Sequence, residues 1–155
     1  MSTTQEIITG KKILVVDDDL ITVASLKKIL RNIQCRVMAA QNAFEGWHMI
    51  QVHKPDIVII DILMPLVNGV TLFEQIRNTP DTSHIPCLFF TATATQEIAC
   101  KISELGGGYL LVKPIVPEVL IEKLTEALRS NVPMKPTEMA LSDYFINCIV
   151  SSDDS

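Results

Sequence analysis

Six residues stand where apolar sequence gives them no obvious reason to be. Asp17, Asp18 and Asp19 directly follow the run Ile13-Leu-Val-Val16, and Asp61 follows Ile57-Val-Ile-Ile60. Thr91 comes at the end of Cys87-Leu-Phe-Phe90, and Lys113 at the end of Tyr109-Leu-Leu-Val112. A carboxylate in apolar surroundings is costly to desolvate unless something compensates it. An isolated Asp at such a place caps a turn or the next helix, but Asp61 is not isolated if its run pairs with the one ending in Asp17. Neighbouring strands lie about 5 Å apart, so Asp17 or Asp18 would repel Asp61 unless a cation sat between them. Clustered carboxylates, carbonyls and water are hard oxygen ligands and suit Mg²⁺. A carboxylate flanked by Mg²⁺ and the Lys113 ammonium is placed to act as a nucleophile and form an aspartyl-phosphate. That reaction needs positioning and charge neutralisation more than covalent help. The Thr91 hydroxyl would then hydrogen-bond a phosphoryl oxygen.

The elements that must position these residues alternate regularly. Short apolar β-rich runs at 13–16, 36–40, 57–60, 87–90 and 109–112 read as strands. Between them lie helix-period segments. Val23, Leu26, Leu30 and Ile33 share one stripe, opposite Lys27, Lys28 and Arg31. A second helix runs from Ala43 to His53 before Pro55, with Phe44, Trp47 and Ile50 on its inner face. A turn from Met64-Pro65 to Asn68-Gly69 leads to a third, from about Val70 to Arg77, which Asn78, Pro80 and Asp81 break. A fourth spans Thr95 to Leu105 and stops at Gly106-Gly-Gly108. Pro117 suits the first turn of the last, with Leu120, Ile121, Leu124 and Leu128 buried. This pattern predicts an α/β fold: a flavodoxin-like, doubly wound, five-stranded parallel sheet in the order 2-1-3-4-5 with helices on both faces. Ligands of such sheets bind beyond the carboxyl ends of strands 1 and 3, where the acids stand.

The 155 residues divide into an N-terminal extension (1–10), one domain (11–130), and a linker with a short amphipathic stripe and polar tail (131–155). In the last segment Leu141, Tyr144, Phe145, Cys148 and Ile149 fall on one helical face, and packing of that stripe on its own domain is slightly favoured over docking or dimerisation. Net charge is −5 with no basic face, which argues against nucleic-acid binding. The start lacks a signal-peptide h-region and no apolar stretch is long enough to span a bilayer, so a cytoplasmic protein is expected. Cys35, Cys87, Cys100 and Cys148 form no Cys-x-x-Cys pair and read as buried free thiols. His48, His53 and His84 have no metal-ligand spacing and read as surface or half-buried residues.

Val16-Asp17-Asp18-Asp19, Asp61-Ile-Leu-Met-Pro65 with Gly69, Thr91-Ala92 and Lys113-Pro114, in that order and each at a strand end, resemble the receiver domain of bacterial two-component response regulators, from about Lys11 to Arg129. The resemblance implies a phosphorylation switch served by a sensor histidine kinase or phosphotransfer protein. Asp61 would be the phosphoacceptor. Asp18, Asp61 and the Leu63 carbonyl would hold Mg²⁺ directly, and Asp17 largely through water. Lys113 would contact the phosphoryl group, Thr91 would be the switch hydroxyl, and Lys113-Pro114 would be a cis peptide. Output would pass to an unidentified protein partner or a self-dimer through the fourth helix, fifth strand and last helix. One departure stands out: the position three before the lysine, usually aromatic in the family, is Leu110, with Tyr109 one place earlier.

Two other functions compete. An aspartate-nucleophile phosphatase or phosphotransferase acting on small molecules would need a general acid two residues after the nucleophile, where Leu63 stands. A flavin-binding carrier would need a phosphate loop after strand 1, where Asp17-Asp18-Asp19 would repel the phosphate.

Overall fold

The computed structural model describes residues 4–64, 67–92, 95–104 and 109–129. Elements follow in the order α1 (Thr4–Ile8), β1 (Lys12–Val16), α2 (Leu20–Asn32), β2 (Arg36–Ala40), α3 (Ala43–His53), β3 (Ile57–Asp61), α4 (Gly69–Asn78), β4 (Cys87–Thr91), α5 (Gln96–Glu104), β5 (Tyr109–Val112) and α6 (Pro117–Arg129). The strands form one parallel sheet in the order β2-β1-β3-β4-β5, as expected from the alternation.

Apart from Lys12, Arg36, Asp61 and Thr91 at their ends, the strands are apolar because the sheet is covered on both faces. Leu14, Val16, Val58, Ile60, Cys87, Phe89 and Leu110 pack towards α3, α4 and α5. Ile13, Val15, Ile57, Ile59, Leu88, Phe90 and Tyr109 pack towards α1, α2 and α6. Each fully buried Val, Leu, Ile or Phe contributes ~1.5–3 kcal/mol of transfer free energy. Phe73 of α4 meets Phe89 edge-on, ring centroids 5.0 Å apart, a geometry that aromatic quadrupoles favour.

Three features differ from the sequence-based expectations. Phe44 is 63% exposed, because α3 meets the sheet through Ala43, Gly46 and Ile50, with Trp47 half-buried beside them. A β-carbon at Gly46 would stand 3.0 Å from a Val16 methyl, so small residues let this helix approach the sheet closely, and the phenyl ring points away. The N-terminal segment contains α1, which packs on α6 and buries Ile8. Cys35 and Cys87 are buried free thiols, but Cys100, half-buried on α5, is disulfide-bonded. The three histidines are exposed. Gly106–Gly108 and the stripe beginning at Leu141 lie outside the described residues.

Candidate functional site

The register of the sheet assembles the acidic cluster. Val16 of β1 pairs with Ile60 of β3, so the next residues, Asp17 and Asp61, emerge side by side at the carboxyl edge. Asp61 is the last residue of β3 and pairs with Phe90 of β4. Thr91 ends β4 opposite Val112, and the Lys113 N–H donates to the Thr91 carbonyl at 2.8 Å. The Lys113-Pro114 bond is cis. The backbone thus delivers Asp17, Asp61, Thr91 and Lys113 to one edge, as their positions at the ends of apolar runs implied.

Asp17 and Asp61 are buried, at 2% and 6% exposure, and Asp18 is exposed. One oxygen from each of Asp17, Asp18 and Asp61 lies within 4.8 Å of the others. The Lys113 ammonium is 3.2 Å from Asp17 Oδ2 and 3.7 Å from Asp61 Oδ2. Among the described residues this one ammonium does not neutralise the cluster. Burial, followed by the neighbouring Asp17 charge, pushes the Asp61 carboxyl up from the usual 3.8 to about 6, against the opposing pull of Lys113. Three oxygen donors facing each other with excess negative charge fit a small hard divalent cation such as Mg²⁺.

Asp19 has a different task. Its carboxylate accepts from the Ile21 N–H at 3.0 Å and the Thr22 hydroxyl at 2.7 Å, capping α2. These bonds hold its carboxyl below the ordinary carboxylate range. Asp17 is fixed in turn by the Asp19 N–H, which donates to Oδ1 at 2.9 Å. Asp61 Oδ1 accepts from the Leu63 N–H at 3.3 Å. Thr91 is fully buried beneath this edge.

Gly69 explains the glycine after Asp61 in the motif. Its N–H donates to the Ile62 carbonyl at 2.9 Å. A β-carbon there would fall on the Asp61 carbonyl oxygen and within 2.6 Å of an Ile60 methyl. Any side chain would therefore push α4 off the turn that presents Asp61. Asn68 caps the helix by accepting from the Thr71 N–H at 3.0 Å.

The family model for the response regulator receiver domain matches residues 13–125. The response regulator MprA of Mycobacterium sp. (strain KMS) is 32% identical over 122 residues, covering 79% of this chain and 52% of MprA. The 3',5'-cyclic-nucleotide phosphodiesterase regA of Dictyostelium discoideum is also 32% identical over 122 residues, which make up 15% of regA. The chain therefore spans about half of MprA and a smaller part of regA. Among solved structures, a CheY-like receiver domain protein from Methanospirillum hungatei JF-1 superposes with a TM-score of 0.73 at 29% identity, covering 78% of this chain and 95% of that one. The chemotaxis protein CheY4 of Vibrio cholerae does so with a TM-score of 0.72 at 25% identity, covering 77% and 99%. Sheet order, clustered acids at the switch point and matching family model agree, and the chain belongs to the response regulator receiver domain family, whose members are phosphorylation-dependent signalling switches.

Proposed function

We propose that Asp61 is the phosphoacceptor of this switch and that Lys113 and Thr91 are its phosphoryl-contacting partners. The observation that carries this reading is the cluster of Asp17, Asp18 and Asp61 at the β1–β3 edge, with Lys113 as its counter-charge. Asp61 forms the new O–P bond as the donor's bond to phosphorus breaks. Lys113, freed from its carboxylate contacts, pairs with the phosphoryl oxygens, a charge-assisted contact stronger than a neutral one. Thr91 donates its hydroxyl to one of them. Asp18, Asp61 and the Leu63 carbonyl would hold Mg²⁺, with Asp17 acting largely through water, and the ion would neutralise phosphoryl charge when bound. The receiver unit spans residues 11–130.

Receiver domains take their phosphoryl group from histidine kinases or phosphotransfer proteins. On this chain such a donor would meet an apolar rim around the acids: Leu20, Ile21 and Leu63 are 63%, 79% and 58% exposed, and Ile21 shares a surface groove with Lys113 and Pro114. Output would leave through α5, β5 and α6, where Val112, Val116 and Val119 are exposed, to a protein partner or a second copy. Self-phosphorylation from small donors and self-dephosphorylation would be slow. Leu63 cannot transfer a proton, so rapid turnover of small phosphate esters is not expected. The test is intact-protein mass spectrometry after acetyl phosphate. Wild type with Mg²⁺ should gain one phosphoryl group, and EDTA or Asp61→Asn should abolish it. Full labelling of Asp61→Asn would overturn the assignment.

A further inference from the structure

Asp17, Asp18, Asp19 and Asp61 all stand at the carboxyl edge of β1 and β3, but among the described residues only Asp17, Asp18 and Asp61 bring their oxygens together. Asp19 is near them through its backbone. Its N–H donates to Asp17 Oδ1 at 2.9 Å, and its Cα is one bond of ~1.5 Å beyond that nitrogen. Its carboxylate is turned to α2 instead. Oδ1 accepts from the Ile21 N–H at 3.0 Å, and Oδ2 accepts from the Thr22 hydroxyl at 2.7 Å, the shorter of the two bonds. Thr22 is buried, at 8% exposure, and lines the same groove as Lys113. The position of Asp19 matters for charge. The three clustered carboxylates are balanced by the Lys113 ammonium together with one divalent cation. A fourth carboxylate would leave the edge negative again and repel an incoming phosphoryl group.

We propose that Thr22 is a positioning residue that sets the composition of the cation site: its hydroxyl holds Asp19 on α2 and keeps a fourth carboxylate out of the cluster. The inference rests on the reading of Asp17, Asp18 and Asp61 as a site for a divalent cation, and it adds what limits that site to three carboxylates. Recruiting Asp19 to a bound cation breaks the Thr22 bond. A hydrogen bond to a charged group is worth on the order of tenfold in an equilibrium, so this one holds cation affinity down by up to that factor. Without the hydroxyl only backbone N–H groups retain Asp19 at the cap, and a change of side-chain rotamer frees its carboxylate for the cluster. The wild-type arrangement suits Mg²⁺, which keeps several waters and is rarely caged by protein ligands alone. It also leaves coordination open to a phosphoryl oxygen.

Mn²⁺ is the probe, added to the full chain without a phosphodonor. Free Mn²⁺ is counted by electron paramagnetic resonance, and bound Mn²⁺ is displaced with Mg²⁺. Wild type should show one site that Asp61→Asn weakens. Thr22→Val, which keeps the shape and removes the hydroxyl, should bind both ions more tightly, by up to about tenfold. Thr22→Ala, a second variant without the hydroxyl, should do the same, and Thr22→Ser should match wild type. The double variant Thr22→Val/Asp19→Asn should lose the gain, because no carboxylate is left to recruit. A role confined to capping α2 would lower the melting temperature of Thr22→Val and leave its Mn²⁺ affinity where it was. Unchanged or weaker binding in the folded variants without the hydroxyl, or a gain that survives in the double variant, would overturn the proposal while the Asp61 site stands. A wild-type site indifferent to Asp61→Asn would remove the cation reading itself, and the proposal with it.

Discussion

The two ends of the sheet treat charge in opposite ways. At the amino edge, Asp56 Oδ2 accepts from the Lys12 N–H at 2.8 Å. The Asp56 N–H returns a bond to the Lys12 carbonyl at 2.9 Å, and the Lys12 ammonium donates to the His53 carbonyl at 2.8 Å. These polar groups pair within the protein and tie β1 to the α3–β3 turn. At the carboxyl edge, Asp17 and Asp61 are packed together with Lys113 as a shared and insufficient counter-charge. The difference is instructive because both edges belong to the same strands. Where a strand end serves the fold, acid and donor match. Where it serves as a switch, the protein keeps an electrostatic conflict that protonation of Asp61 or an added cation would relieve.

The largest effect that could break this comparison is the pH dependence of stability without metal. Asp61 holds its proton to about pH 6 in the folded chain against about 3.8 when unfolded. The folded state therefore binds more protons between these values. The corresponding stability is fully present below pH 3.8 and is lost as pH rises through 6, by at most ~3 kcal/mol. Thermal melts in EDTA should show this loss in wild type relative to Asp61→Asn, and Mg²⁺ should restore stability mainly above pH 6. Parallel profiles for the two proteins, with or without Mg²⁺, would remove the conflict from the account.

A second comparison lies within the carboxyl edge, between Thr91 and Leu110. Leu110 is buried beside Phe89, its partner on β4. It has neither a ring to swing nor a hydroxyl to exchange, so Leu110→Ala should cost ~2–4 kcal/mol as a cavity while phosphorylation-induced shifts in α5 persist. Thr91→Ala should instead reduce those shifts. A ligand moves a two-state equilibrium only by its differential affinity, and losing the Thr91 hydroxyl removes part of that difference. NMR shifts of phosphorylated wild type and both variants decide it; unchanged shifts in Thr91→Ala, or shifts centred on α2 and α3, would count against the route.

Much of this was legible from residue order. Strands buried on both faces need continuous apolar runs, so a polar residue at the end of one is conspicuous, and four such ends in regular alternation identified the site edge. Other features were not legible, each for a physical reason. The stripe of Phe44, Trp47 and Ile50 looked like an inner face, but close approach at Gly46 makes Ala43, Gly46 and Ile50 the contact, and hydrophobicity alone cannot register a helix that packs through its smallest residues. Five residues are too few for α1 to show a period, and its Ile8 is buried where α1 packs on α6. Asp19 follows Asp17 and Asp18 in sequence, and the ligand set left it without a task. Its cap on α2 shows only once the helix start is known.

The smallest effect belongs to the amino edge. Asp56→Ala removes the carboxylate that accepts from the Lys12 N–H and should cost ~1 kcal/mol in a denaturant titration, with Mg²⁺-dependent labelling unchanged. Loss of labelling in that variant would mean that the two ends of the sheet are not independent.

The most direct measurement is chemical location of the phosphoryl group. The chain is labelled with acetyl phosphate and Mg²⁺, reduced with borohydride, which converts an aspartyl-phosphate to homoserine, and mapped by peptide mass spectrometry. The account predicts homoserine at position 61 and at no other aspartate. Homoserine at position 17 or 18, or labelling that borohydride does not trap, would contradict it.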